Sequence, residues 1–180
     1  MIHDELERAI RAWADARALP DACVARWLAL EPAARARLFE LAERLKFRTG
    51  QFITAFTLLE EIGVREGVPI ASILAREPVR RVIDAAGSGP GKARALIDAL
   101  RVMRYPRLHQ AAERLGAEVA ALEMPRGIKV VLPRELASDD VRIELVARGG
   151  AEMRRLIEAL GAKAAALARI AEMLGGADEI

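Results

Sequence analysis

Apolar side chains fall at three- and four-residue spacing through roughly the first two thirds of the chain, the period of helices that bury one face. Leu6, Ile10 and Trp13 predict a helix from Asp4 to Ala18, which Leu19-Pro20 breaks. Asp21 can cap a second, short helix to Leu30, with Val24, Trp27 and Leu28 inward. Glu31-Pro32 restarts the chain, because proline is tolerated at a first helical position. A third helix then runs to about Lys46 on a stripe of Leu38, Leu41 and Leu45. Thr49 is the expected N-cap of a fourth, whose apolar face is Phe52, Phe56, Leu59 and Ile62.

Gly67-Val68-Pro69 predicts a turn, Ile70 to Ala75 a short helix, and Glu77-Pro78 a second proline restart for a helix to Ala86. Gly87-Ser88-Gly89-Pro90-Gly91 is the sharpest break in the chain. Lys92 to Met103 reads as helix again, and Pro106 should kink or end it by removing a hydrogen bond and restricting Tyr105. Leu108 to Leu122 resumes the helical pattern before Met124-Pro125-Arg126-Gly127. From Gly127 the period drops to two. GIKVVLP and VRIELVARGG, separated by the turn-rich RELASDD, align Ile128, Val130 and Leu132 with Val141, Ile143 and Leu145. Two closing helices, Ala151 to Leu160 and Ala162 to Leu174, flank Gly161.

The expected fold is therefore mostly α with a small α+β C-terminal part: a helical bundle, a two-stranded antiparallel hairpin and closing helices. It divides into a helical domain at 1–86, a hinge with basic helices at 87–126, and a β-β-α tail at 127–180. Two strands alone are marginal in water. Val131 and Val146 give them apolar residues on the second face as well. The tail must therefore pack on the rest of the chain or pair with a second copy, and the expected pairing is a homodimer through Ile128, Val130, Val131, Val141, Ile143, Leu145 and Val146.

Composition changes this picture little. The 180 residues are 53% apolar and 4% aromatic, enough to fold and pointing to an aliphatic core. A single cysteine, Cys23, excludes an internal disulfide framework and suits a reducing compartment. MIHDELE lacks the apolar segment of a signal peptide, and no uncharged run approaches a bilayer span, so a cytoplasmic protein with no membrane partner is expected. Charge is more informative. The net +2 divides into −1 over Met1 to Ala75, +5 over Arg76 to Arg114 and −2 over the remainder.

Candidate chemistry is sparse. GSGPGK, Gly87 to Lys92, superficially suggests a phosphate loop, but Ala86 and Ala93 stand where glycine and Ser/Thr are required and a helix precedes it instead of a strand. His3 and His109 have no Cys or His partner at ligand spacing, so no metal is expected, and no cofactor. No nucleophile and base combine, so no enzyme is expected. Gly63, Gly67, Val68 and Ile73 follow a helix-turn-helix layout whose second helix would present Ser72 and Arg76. Short helix pairs with a glycine turn also occur with no DNA role. Arg101, Arg104 and Arg107, extended by Lys92 and Arg94, would make a phosphate-contacting patch, or a solvated face paired with Asp98 and Glu113.

The C-terminal segment resembles the dimerisation domain of ParB-type partition proteins. GIKVVLP, VRIELVARGG and AEMRRLIEALG stand where that domain has its two strands and final helix. PGKARALIDAL is similar to a stretch of the same family's DNA-binding region. The resemblance implies homodimerisation and a DNA partner. It implies no CTP chemistry, because the family's arginine-rich nucleotide motif is missing. Together these readings lead to a non-enzymatic, DNA-associated protein of partition or regulatory type. The alternative is a protein-interaction or adaptor subunit of a larger assembly that binds no nucleic acid.

Overall fold

The computed structural model describes residues 2–133, 136 and 138–176. Among the described residues ten helices and one hairpin follow the expected order, in two compact units, Met1–Arg104 and Tyr105–Ile180. The chain divides after Arg104, and the glycine-rich stretch at Gly87 to Gly91 lies within the first unit.

Unit 1 contains α1 (Ile2–Asp15), α2 (Asp21–Leu28), α3 (Pro32–Leu45), α4 (Thr49–Glu66), α5 (Ile70–Leu74), α6 (Glu77–Asp84) and α7 (Gly89–Arg104). The anticipated apolar stripes are the buried ones: Ile10 and Trp13, Val24 and Trp27, Leu38, Leu41 and Leu45, and Phe52, Phe56, Leu59 and Ile62. Most of the buried side chains are aliphatic, as expected, but the core of unit 1 also holds an aromatic cluster. Trp13, Trp27, Phe47, Phe52 and Phe56 meet at one place, with Phe52 ring centroids 4.6 Å from Trp27 and 5.0 Å from Trp13. A low average aromatic content conceals this because the aromatics are concentrated between residues 13 and 56.

Two boundaries differ from expectation for identifiable reasons. Thr49 is the first residue of α4 and not its cap; its hydroxyl donates to the Arg17 carbonyl at 2.7 Å, and Gln51 Oε1 accepts the Arg48 N–H at 3.1 Å. Helix α7 begins inside the glycine-rich stretch. A Cβ on Gly89 would lie 3.0 Å from the Leu45 carbonyl oxygen, so glycine lets the start of α7 pack on the end of α3.

Unit 2 contains α8 (Pro106–Ala121), β1 (Ile128–Val131), β2 (Arg142–Leu145), α9 (Gly150–Ala162) and α10 (Ala164–Gly175). Pro106 opens α8, where its missing N–H costs nothing. The strands are antiparallel, with Ile128 opposite Leu145, Lys129 opposite Glu144, Val130 opposite Ile143 and Val131 opposite Arg142. The expected alternation is thus the observed register, and Lys129 with Glu144 sets opposite charges across the other face. Arg134, Glu135 and Ala137 of the RELASDD turn lie outside the described residues. The break between the closing helices falls at Lys163, and Gly161 lies within α9.

The core of unit 2 is small: Leu115, Leu122, Leu136, Ile170 and Leu174, with Val130, Leu132 and Val141 of the hairpin packed against it. Helix α9 buries Leu156 alone among its residues. Leu156 sits over Gly127, whose carbonyl accepts the Val146 N–H at 2.7 Å.

Candidate nucleic-acid interface

The helix-turn-helix layout read from the sequence corresponds to a tight turn. Gly67 takes φ +65° at the end of α4, and the Val68 N–H donates to the Gly63 carbonyl at 3.1 Å. A side chain at position 63 would meet the Val68 carbonyl oxygen at 3.0 Å. The second helix, however, has only five residues, about 7.5 Å at 1.5 Å per residue. It buries Ile70, Ile73 and Leu74, leaving Ser72 as its exposed polar side chain. One hydroxyl is little with which to read base edges.

Arg76 precedes α6 and is tied to Glu66, which Arg65 also contacts at 2.6 Å. Hydrogen bonds from Arg76 and Arg65 hold the Glu66 carboxyl below the usual carboxylate range. Lys92 turns back to donate to the Ile83 carbonyl at 2.9 Å, a second reason that this stretch is no phosphate loop. Arg101 lies 3.8 Å from Asp98 on its own helix, the anticipated pairing, whereas Glu113 pairs with His109 at 3.4 Å. Arg94 and Arg107 are exposed, and neither forms an ion pair among the described residues. Arg101 and Arg104 close unit 1, and Arg107 belongs to unit 2.

Arg104 takes part in a reciprocal lock. Its Nε donates to Glu61 of α4 at 2.8 Å, while Arg65 of α4 donates to the Met103 carbonyl at 2.7 Å and to the Arg104 carbonyl. A guanidinium on the last carbonyls of α7 satisfies groups that the helix leaves without partners and complements its dipole. Together with the Arg26–Glu60 pair at 3.1 Å, these residues line a groove of about 490 Å³ beside α4. Burial pushes the Glu60 carboxyl up, and Arg26 partly opposes that shift. The cations of the groove are already neutralised, so it offers little attraction to an anion.

Sequence reasoning missed a second basic cluster, formed by Arg37 and Arg44 on α3, Arg80 on α6 and the turned-back Lys92. The spacing of Arg37, Leu41 and Arg44, one helix stripe, was its available signal.

The expected dimer residues divide by exposure. Ile128 is buried, Val130, Val131, Val141 and Leu145 are half-buried, and Ile143 and Val146 are exposed, Val146 at 72%. Met153 and Ile157 of α9 and Met173 of α10 are also exposed, at 40%, 54% and 39%. Among the described residues no group of His, Cys, Asp and Glu could hold a metal ion, and no helix is long and apolar enough to cross a membrane. No family model, curated protein or solved structure matches the chain.

Proposed function

We propose that this chain is a non-enzymatic, DNA-associated protein of partition or regulatory type that acts as a homodimer joined through unit 2, in the cytoplasm. The observation that carries this reading is the apolar surface of unit 2. Val146, Met153 and Ile157 stand in solvent beside a core that buries few side chains. An incomplete core with an apolar face is what a partner copy completes, and a two-fold interface is self-complementary. The ParB-like order of strands and helix supports the same assembly. A two-fold dimer matches the symmetry with which duplex half-sites repeat.

Two measurements test it. Light scattering of the full chain at micromolar concentration should give twice the chain mass, and Met153→Asp with Ile157→Asp should halve it without lowering helix content. A wild-type monomer removes the dimer. In the second, binding to a nonspecific duplex should weaken by roughly 10³-fold between about 50 and 200 mM salt if about six phosphates are contacted. An adaptor subunit, the other reading, is favoured by the internal contacts of Arg76, Lys92, Arg101 and Arg104. It predicts no duplex binding even at the lower salt.

A further inference from the structure

Facing stripes of α3 and α6 enclose a cleft of about 210 Å³ in unit 1. From α3 come Arg37, Leu41 and Arg44, and from α6 Arg80 and Ile83, with Leu74 beneath. The Ile83 carbonyl at the end of α6 accepts from Arg44 at 3.2 Å and from Lys92 at 2.9 Å. Two cations converging on one neutral oxygen repel each other, and neither has an ion pair among the described residues. Arg37 and Arg80 are exposed and likewise form none. Glu40 and Asp84 also line the cleft, so its three arginines against two carboxylates leave a local +1, and Lys92 stands on the Ile83 carbonyl at its edge.

We propose that this cleft is a phosphate site for the DNA backbone, with Arg37, Arg44 and Arg80 donating to the phosphate oxygens and Lys92 supplying a further positive charge. The proposal rests on the DNA-associated reading and gives it a location other than Arg101, Arg104 and Arg107. Guanidiniums suit the role because their forked donors match phosphate oxygens. Size selects the form of the ligand. Pockets that enclose a small molecule run to about 300–1,000 Å³, so this cleft fits one phosphate of a polymer lying across it, not a whole nucleotide. Such contact is sequence-independent, because every nucleotide carries the same phosphate, and it weakens with salt through counterion release.

The test uses the full chain, a fluorescent 20-base-pair duplex (about two turns) and the double variant Arg37→Gln, Arg80→Gln. The variant should bind at least about tenfold more weakly at low salt, with a log–log salt slope shallower by about one for each phosphate it no longer neutralises. Arg37→Lys with Arg80→Lys should recover part of the affinity. Both side chains are exposed, so the melt and the dimer mass should not change. Wild-type affinity and slope in the Gln variant would overturn the cleft and leave the DNA reading standing. A second arm titrates pyrophosphate while following arginine Nε–Hε signals by NMR. Signals of Arg37 and Arg80 that move in a protein without duplex affinity would overturn the DNA half of the proposal and the functional reading with it. Silence in both arms overturns the site altogether.

Discussion

Replacing Phe52 with alanine is expected to destabilise unit 1 by about 3–5 kcal/mol, the range for removing a buried aromatic ring. Phe52 is fully buried, and its ring lies against Trp13 of α1, Trp27 of α2, Phe56 of α4 and Phe47 of the α3–α4 connection. A cavity there loosens three helices at once, because Phe52 of α4 touches the rings of both Trp13 of α1 and Trp27 of α2. Offset and tilted ring pairs add about 0.5–1.5 kcal/mol each beyond burial, so the loss should fall in the upper part of the range. For a unit of this size it corresponds to a fall in Tm of more than about 12 °C. Both tryptophans are in unit 1, so their fluorescence reports its unfolding alone. Among the described residues their buried indole N–H groups have no hydrogen-bond partner, so ring packing and, on Trp13, the Arg17 guanidinium 4.2 Å from the ring hold them. A fluorescence melt within about 4 °C of wild type would show that the cluster is not the centre of this core.

Much of this fold is legible in the sequence because its signals are local. The restarts at Pro32 and Pro78 each open a helix, Pro106 ends α7 as read but also opens α8, and the change of period after Gly127 marks the hairpin and its apolar face. Errors arise where a distant segment decides. Thr49 has the chemistry of a cap, yet its hydroxyl is taken by the Arg17 carbonyl 32 positions away. Gly89 reads as part of a flexible break, yet it lies in the first turn of α7 because the Leu45 carbonyl leaves no room for a side chain. No periodicity encodes either contact.

The candidate site is less legible for a related reason. A count of charges along the chain finds the positive middle segment but cannot see which cations are spent inside the fold. Arg76, Arg101 and Arg104 have carboxylate partners, and of these only Arg101–Asp98 follows from helix spacing. Conversely, Arg37 lies in a stretch of net negative charge and becomes a candidate only because α6 brings Arg80 opposite it. On the dimer face, the hairpin valines are visible through alternation. Met153 and Ile157 are not, since they share a helix with Leu156 and Leu160, and only packing shows which part of that wide stripe is left uncovered.

Gly127→Val should abolish unit 2 as a folded body, and this separates the fold of the tail from its proposed interface. Gly127 has φ +103°, where a side chain is strained by about 1–3 kcal/mol before any contact is counted. Its Cβ would also stand 2.6 Å from the Val146 carbonyl oxygen and 2.9 Å from Leu156 Cδ1. The first is backbone just beyond β2 and cannot swing aside. The second belongs to the one buried side chain of α9. Relief would have to separate the mouth of the hairpin from α9, and a core this small has little stability in reserve. Hydrogen exchange should therefore show α8, β1, β2, α9 and α10 losing protection together, while α1 to α7 keep theirs. Self-association should disappear with it. The Met153→Asp, Ile157→Asp variant ought to lose association and keep protection in the hairpin, since both side chains are already in solvent in the single copy. A Gly127→Val protein that keeps wild-type protection from Ile128 to Leu156 would refute the tight approach of Gly127, Val146 and Leu156 that joins the hairpin to α9.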